Sequence, residues 1–173
     1  MRRLIVVWLA LGAVALAGCA ASRLPALRPV DVPAPEPALA RARAAADSLT
    51  KGLAGLLFST LEKEGAVAAV RVCSDVAQSV TAAYAEEGLT VRRVGTRLRN
   101  PANRPDAREA AALARFAAAM AAGNPPGEVS EVLEGSDGSR VLAYVRPIVL
   151  QTKCGACHGP REGLDAGVRA LLR

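Results

Sequence analysis

The chain predicts an α+β domain, and three observations carry that prediction. Apolar residues recur at helical spacing along two consecutive segments separated by Gly65, an alanine-rich run opens at Asp106, and two extended runs flank Gly135-Ser136-Asp137-Gly138. In the first segment Leu49, Leu53, Leu56, Leu57, Thr60 and Leu61 mark an amphipathic helix from about Ala38 to Glu64, ended by Gly65. A second helix is predicted from about Ala66 to Glu87, with Val67, Val70, Cys73, Ala77, Val80 and Tyr84 on one stripe and Gly88 as its stop.

Residues 89–98 alternate, with Val91 and Val94 among arginines, which predicts a strand. The turn formers Asn100-Pro101-Ala102-Asn103-Arg104-Pro105 follow as a loop. Asp106 is a natural N-cap for a third helix reaching about Ala122, halted by Gly123-Asn124-Pro125-Pro126. The hairpin strands are expected over Glu128 to Glu134 and Arg140 to Leu150, with Val141, Ala143 and Val145 on one face of the second. No internal repeat is present.

The N-terminus is an export signal. Met1-Arg2-Arg3 precedes an apolar run from Leu4 to Ala17, too short and wrongly flanked for a stable transmembrane helix. Leu16-Ala17-Gly18-Cys19 resembles a bacterial lipobox, so residues 1–18 are expected to leave and Cys19 to be acylated. Several acyl chains, at about 0.8 kcal/mol per buried methylene, hold a protein on a membrane essentially permanently. Ala20 stands where an aspartate favours inner-membrane retention, so attachment to the outer membrane facing the periplasm is expected. Residues 19–37 include Pro25, Pro29, Pro33, Pro35 and Pro37 and read as an extended tether of up to roughly 50 Å. The folded domain is then residues 38–173. Export also excludes nucleic acid as the partner of a chain with formal net charge +6; its arginines read as a solvated surface or as contacts to acidic partners and lipid headgroups.

Most of the chemistry sits in one pentapeptide. Cys154-Gly155-Ala156-Cys157-His158 is the C-x-x-C-H signature of covalent haem attachment, and His158 is the only histidine in the chain. Two thiols a helical turn apart can add to the two vinyl groups on one edge of a haem, and the adjacent imidazole reaches the iron. A zinc site needs further ligands, which no second C-x-x-C or H-x-H pair supplies. A thioredoxin-like dithiol follows a buried strand of a βαβ unit, whereas this motif follows a hairpin.

A single histidine rules out bis-histidine ligation within one chain. With Met1 and Cys19 assigned to the export segment, Met120 and Cys73 are the candidates for a second axial ligand. Cys73 is either a small residue on the apolar helical stripe or a thiolate ligand. Met120 is either a helix-end residue among alanines or a thioether ligand. A thiolate lowers the reduction potential and a thioether raises it, so the two predict opposite redox behaviour.

Taken together, Cys73-Ser74-Asp75-Val76-Ala77, Val91-Arg92-Arg93-Val94, Arg99-Asn100-Pro101-Ala102-Asn103 with Pro105 and Glu109, and Arg146-Pro147-Ile148 leading into Cys154 to Gly159 resemble small extracytoplasmic monohaem c-type proteins with a PAS-like fold. The resemblance spans about Leu49 to Gly159. It implies an antiparallel sheet flanked by helices, one covalent haem c, and axial ligation by His158 and Cys73. It also implies a further strand after the motif; fourteen residues follow Gly159, so the sheet is expected to lack it.

Among Arg92, Arg93, Arg97, Arg99 and Arg104, pairing with a haem propionate is expected of Arg92 or Arg99. The sequence therefore reads as a lipid-anchored periplasmic cytochrome that exchanges one electron with a redox partner protein and is not an enzyme. The alternative is a haem-based redox or gas sensor acting through a partner, since members of such families also serve as sensor input modules. Oligomeric state leaves no mark on the sequence.

Overall fold

The computed structural model describes residues 27–85, 88–98, 100–124 and 127–172. The signal segment, Cys19 and Arg99 lie outside these residues. The architecture is α+β: a three-stranded antiparallel sheet, among the described residues, with helices before, between and after its strands. Strand β1 (Arg28–Val30) lies on the edge and pairs with β2 (Val129–Glu134), which pairs in turn with β3 (Arg140–Val145).

Strand β1 comes from the stretch expected to be a tether. Pro29 has no amide hydrogen to give a ladder, but on an edge it needs to give none. Arg28 fixes the register by pairing with Glu134 at 2.7 Å, and Glu134 also takes Arg140 at 3.0 Å. The sheet thus begins ten residues before the expected domain boundary at 38.

Helix α1 (Glu36–Arg71) starts slightly ahead of the expected Ala38. Pro37 falls in its first turn, where an amide hydrogen has no helical acceptor to lose, and Glu36 places negative charge at the positive end of the dipole. Gly65 interrupts the helix at φ 84° and ψ 179°, a conformation that glycine adopts without a Cβ penalty. The expected stop is therefore a break between two helical arms. The second arm passes into a π-helical turn (Val72–Val76), in which the Ala77 amide donates to the Val72 carbonyl, and then into α2 (Ala77–Ala83).

No strand forms over the described part of residues 89–98, where only Leu89 makes an isolated bridge. Its arginines bond sideways to neighbouring elements, as described below, so the alternation does not become a ladder. The capping prediction holds at α3 (Ala107–Ala121): Asp106 accepts from the Glu109 amide at 2.8 Å and Glu109 accepts from the Asp106 amide at 2.8 Å. Arg108 ties α3 to the sheet by donating to the Leu27 carbonyl at 2.5 Å.

The hairpin turns where expected, closed by Gly138 donating to the Gly135 carbonyl at 3.0 Å with Gly138 at φ 78°. Strand β3 stops at Val145, well before the expected Leu150, because Pro147 cannot donate to a ladder. Val141 is 47% exposed, while Val132 and Leu133 of β2 are buried. The hairpin is held to α1 by Arg43, which pairs with Glu128 at 2.5 Å, and by Arg146, which pairs with Asp47. Tyr144 donates to Glu128 at 2.8 Å, and the hydrogen bonds from Arg43 and Tyr144 hold the Glu128 carboxyl below the usual carboxylate range.

Beyond β3 the chain forms α4 (Gly155–His158) and α5 (Ala166–Leu171). Helix α5 occupies the tail that sequence reading left without structure. Among the described residues no helix is long and apolar enough to cross a membrane.

Candidate functional site

The second arm of α1 is the platform of the site. Ala66 and Val70 stand four residues apart on this arm and so share one face, and the arm leads into the π-turn that holds Cys73. Val70 is buried there with Leu164 and Val168, and Ala66, Cys157 and Leu172 pack around them. Cys157 directs its thiol at the Ala66 carbonyl, 3.9 Å away, a weak donor contact across the helix surface. Cys73 lies seven residues beyond Ala66, about 10 Å further along the chain of helical turns. The motif helix is thus seated on the arm that leads to the candidate second ligand.

Two clamps hold it there. Upstream, Lys153 pairs with Glu62 at 2.8 Å and stands 5.6 Å from the centre of the Phe58 ring, both on the first arm of α1. Downstream, Asp165 caps α5 by accepting from the Gly167 and Val168 amides at 2.7 and 3.3 Å, and α5 drives Val168, fully buried, against Val70. Gly167 permits the approach: a Cβ there would sit 2.8 Å from Val67 Cγ2. An N-cap at Asp165, with Leu164, Val168 and Leu172 spaced by four around it, was the signal available in the sequence for this helix.

Within the motif Cys154 and Cys157 are half-buried and His158 is exposed. Gly159 closes α4 by donating to the Gly155 carbonyl at 3.0 Å, and a Cβ on Gly159 would lie 2.6 Å from that same oxygen. Backbone cannot yield as a side chain tip can. Gly159→Ala is therefore expected to cost about 1–3 kcal/mol by overpacking, read as a lowered melting temperature. Gly163→Ala, whose nearest neighbour would be Pro160 Cγ at 3.8 Å, should stay within about 0.5 kcal/mol of the parent.

Cys73 is half-buried and stands in the π-turn, which widens the helix by one residue. Beside it runs the segment 91–95, pinned by the residues that the sequence motifs singled out. Asn103 accepts from the Gln78 side-chain amide at 2.7 Å, and its carbonyl accepts from the Gly95 amide at 3.1 Å. Asn100 shapes the turn at Pro101–Asn103 by accepting from the Ala102 amide at 2.9 Å. Arg92 pairs with Glu109 at 3.3 Å and donates to the Arg104 carbonyl at 2.5 Å. These bonds join α2, the loop and α3 into one frame.

Its neighbour Arg93 has a different setting. Arg93 Nε donates to Thr81 Oγ1 at 3.2 Å, and Nη2 is buried with no hydrogen-bond partner among the described residues. Burial pulls this guanidinium below its ordinary value, and the proximity of Cys73 pushes it back up. Sequence reading gave propionate pairing to Arg92 or Arg99. Arg92 is engaged by Glu109 and Arg104, Arg99 is outside the described residues, and Arg93 is the arginine placed beside Cys73.

Several large apolar side chains near the cysteines in sequence are exposed: Val76 at 38% in the π-turn, and Ile148, Val149 and Leu150 at 53–57% ahead of Cys154. A cavity of about 260 Å³ between α3 and the sheet, lined in part by Ala111, Arg115, Val129 and Val145, contains none of the expected site residues. Among the described residues no three His, Cys, Asp or Glu side chains gather as ligands for a bare metal ion.

An α+β domain that seats C-x-x-C-H on a helical arm leading into a further cysteine defines a class, the c-type cytochrome-like domains. The chain belongs to the Tll0287-like family, whose model matches residues 26–171. The match includes β1 and α5, both outside the stretch from Leu49 to Gly159 that carried the resemblance. No curated protein and no solved structure matches the chain.

Proposed function

We propose that this chain is a lipid-anchored periplasmic monohaem cytochrome c that takes up and releases one electron. Cys154 and Cys157 form the thioethers, His158 is the proximal ligand and Cys73 the distal one. The observation that carries the reading is the docking of the motif helix against Ala66 and Val70, on the helical arm that leads into Cys73. Bound there, a haem supplies an iron whose ferric and ferrous states differ by a single electron.

Three features of the chain support the fit. The exposed apolar side chains near Cys73 and ahead of Cys154 offer cover for a large flat apolar surface. The chain is poor in aromatics, with Phe58, Tyr84, Phe116 and Tyr144 beside Trp8 of the leader, so such a surface adds what the core lacks. The unpartnered buried nitrogen of Arg93 suits an anionic group. Met120, the other candidate ligand, is 53% exposed near the end of α3.

The residues then divide the work. Cys154 and Cys157 fix one edge of the ring, and the Lys153 and α5 clamps orient the imidazole that follows. Cys73 donates a thiolate that favours ferric iron and holds the potential low. His158 and Cys73 would together hold the iron of such a group, an arrangement suited to electron exchange, and the sequence has no second histidine to assist peroxidase-type catalysis. The three-stranded sheet with its flanking helices is read as a PAS-like fold with a reduced sheet. Cys19 carries the lipid at the outer membrane, and the partner is another redox protein.

A second reading has one observation in its favour. Cys73 stands in a π-turn, a local rearrangement that can relax to regular helix and carry the sulfur away. Departure of Cys73 would then be the switch of a redox or gas sensor read by a separate protein. Electron paramagnetic resonance of the ferric protein with carbon monoxide added to the ferrous form tests both readings. Low-spin thiolate-histidine signals with slow or absent carbon monoxide binding are expected for electron transfer. Rapid binding would favour the sensor, and a signal lacking thiolate would remove Cys73 from the iron.

A further inference from the structure

We infer that Arg93, rather than Arg92 or Arg99, receives a carboxylate of the bound group, a haem propionate, through its buried Nη2. The inference rests on the haem reading above and assigns a residue to it. Its basis is the contrast between adjacent arginines. Arg92 spends its guanidinium on Glu109 and the Arg104 carbonyl, both supplied by the protein. Among the described residues Arg93 donates from Nε to Thr81, no carboxylate pairs with it, and Nη2 is buried without a hydrogen-bond partner.

A buried charged nitrogen with no acceptor is destabilising, because its lost hydration is not offset by a hydrogen bond. A side chain on an exposed loop would swing out to water. Segment 91–95 is prevented from moving by the Gly95–Asn103 bond, the Gln78–Asn103 bond and the Arg92–Glu109 pair, so Arg93 is held in place by its neighbours. Such a frame makes sense where an anion arrives to complete the guanidinium. Cys73 is close enough to interact electrostatically with Arg93 but offers Nη2 no hydrogen bond. A carboxylate matches the planar fork of a guanidinium better than a single sulfur does.

The test uses matured holoprotein and the propionate bending band of its resonance Raman spectrum, which moves with hydrogen bonding at the carboxylate. Arg93→Gln is expected to shift that band to lower frequency and to leave the ferric electron paramagnetic resonance signals of the axial ligands in place. Arg93→Lys, which keeps the charge and loses the fork, should give an intermediate shift and carries the same test should the glutamine variant fail to accumulate. Arg97→Gln, an exposed arginine of the same cluster, should leave the band unmoved. An unmoved band in the Arg93 variants overturns the inference. So do altered axial-ligand signals with an unmoved band, which would assign Arg93 to Cys73 instead. Absence of covalent haem in the parent protein would instead end the proposed function itself, and the two failures are told apart by its absorption spectrum.

Discussion

Replacing Cys154 and Cys157 together by Ser is expected to leave a chain without covalent haem that melts roughly 8–16 °C below the parent holoprotein. The estimate starts from linkage: a group that binds the native state alone, present at about 1,000 times its dissociation constant, adds about 4 kcal/mol. For a chain of this size each kcal/mol corresponds to about 2–4 °C. The physical reason lies in the core. Among the described residues Val168 is the one large side chain that is fully buried, and Ile148, Val149 and Leu150 are more than half exposed ahead of the motif. A scanning calorimetry trace of the double variant that superimposes on that of the holoprotein would show that no bound group contributes to the fold.

Cys73→Ala is expected to raise the reduction potential by on the order of 0.1 V, a modest part of the ~0.8 V range that axial ligands command. Loss of the thiolate removes negative charge next to the iron and so favours the ferrous state. It also opens a coordination position, so the ferrous variant should bind carbon monoxide readily where the parent binds it slowly or not at all. The substitution is small and the site half-buried, which keeps the fold intact enough for the measurement. Potentiometry and carbon monoxide difference spectra identical to the parent's would place Cys73 among ordinary packing residues. Cys73→Ser, which retains volume and polarity, should behave like the alanine variant if the sulfur itself is what matters.

Local signals in the sequence survived into the structure where the physics is local. Asp106 with Glu109 forms a capping box that depends on four consecutive residues, and it is present with both bonds made. Gly65 and Gly138 adopt the positive φ that their positions called for. The motif Cys154 to His158 and the hairpin around Asp137 were equally plain, since spacing and turn chemistry define them. What failed was decided by partners distant in sequence. Residues 89–98 alternate as a strand does, yet their arginines are drawn to Glu109, Arg104 and Thr81, and among the described residues the backbone pairs only in an isolated bridge at Leu89.

The candidate site shows the same division. Its candidate residues stood out, because C-x-x-C-H and a solitary histidine are defined by spacing alone. Its construction was not. Nothing in Val72-Cys73-Ser74-Asp75-Val76 distinguishes a π-turn from regular helix, because the difference is one residue of hydrogen-bond register. Arg92 and Arg93 are interchangeable in composition, and only the frame around Asn103 sends one to a protein carboxylate and leaves the other beside Cys73. The edge strand Arg28–Val30 was hidden among prolines that suit both a tether and a sheet margin. Helix α5 was overlooked although Asp165 announced it.

Intact and peptide mass spectrometry of protein matured with the cytochrome assembly machinery tests the central claim most directly. The account predicts that the chain gains the mass of one haem, that the gain maps to the peptide containing Cys154 and Cys157, and that it disappears in the double serine variant. A fully matured parent chain whose mass equals that of its polypeptide and lipid alone would contradict it.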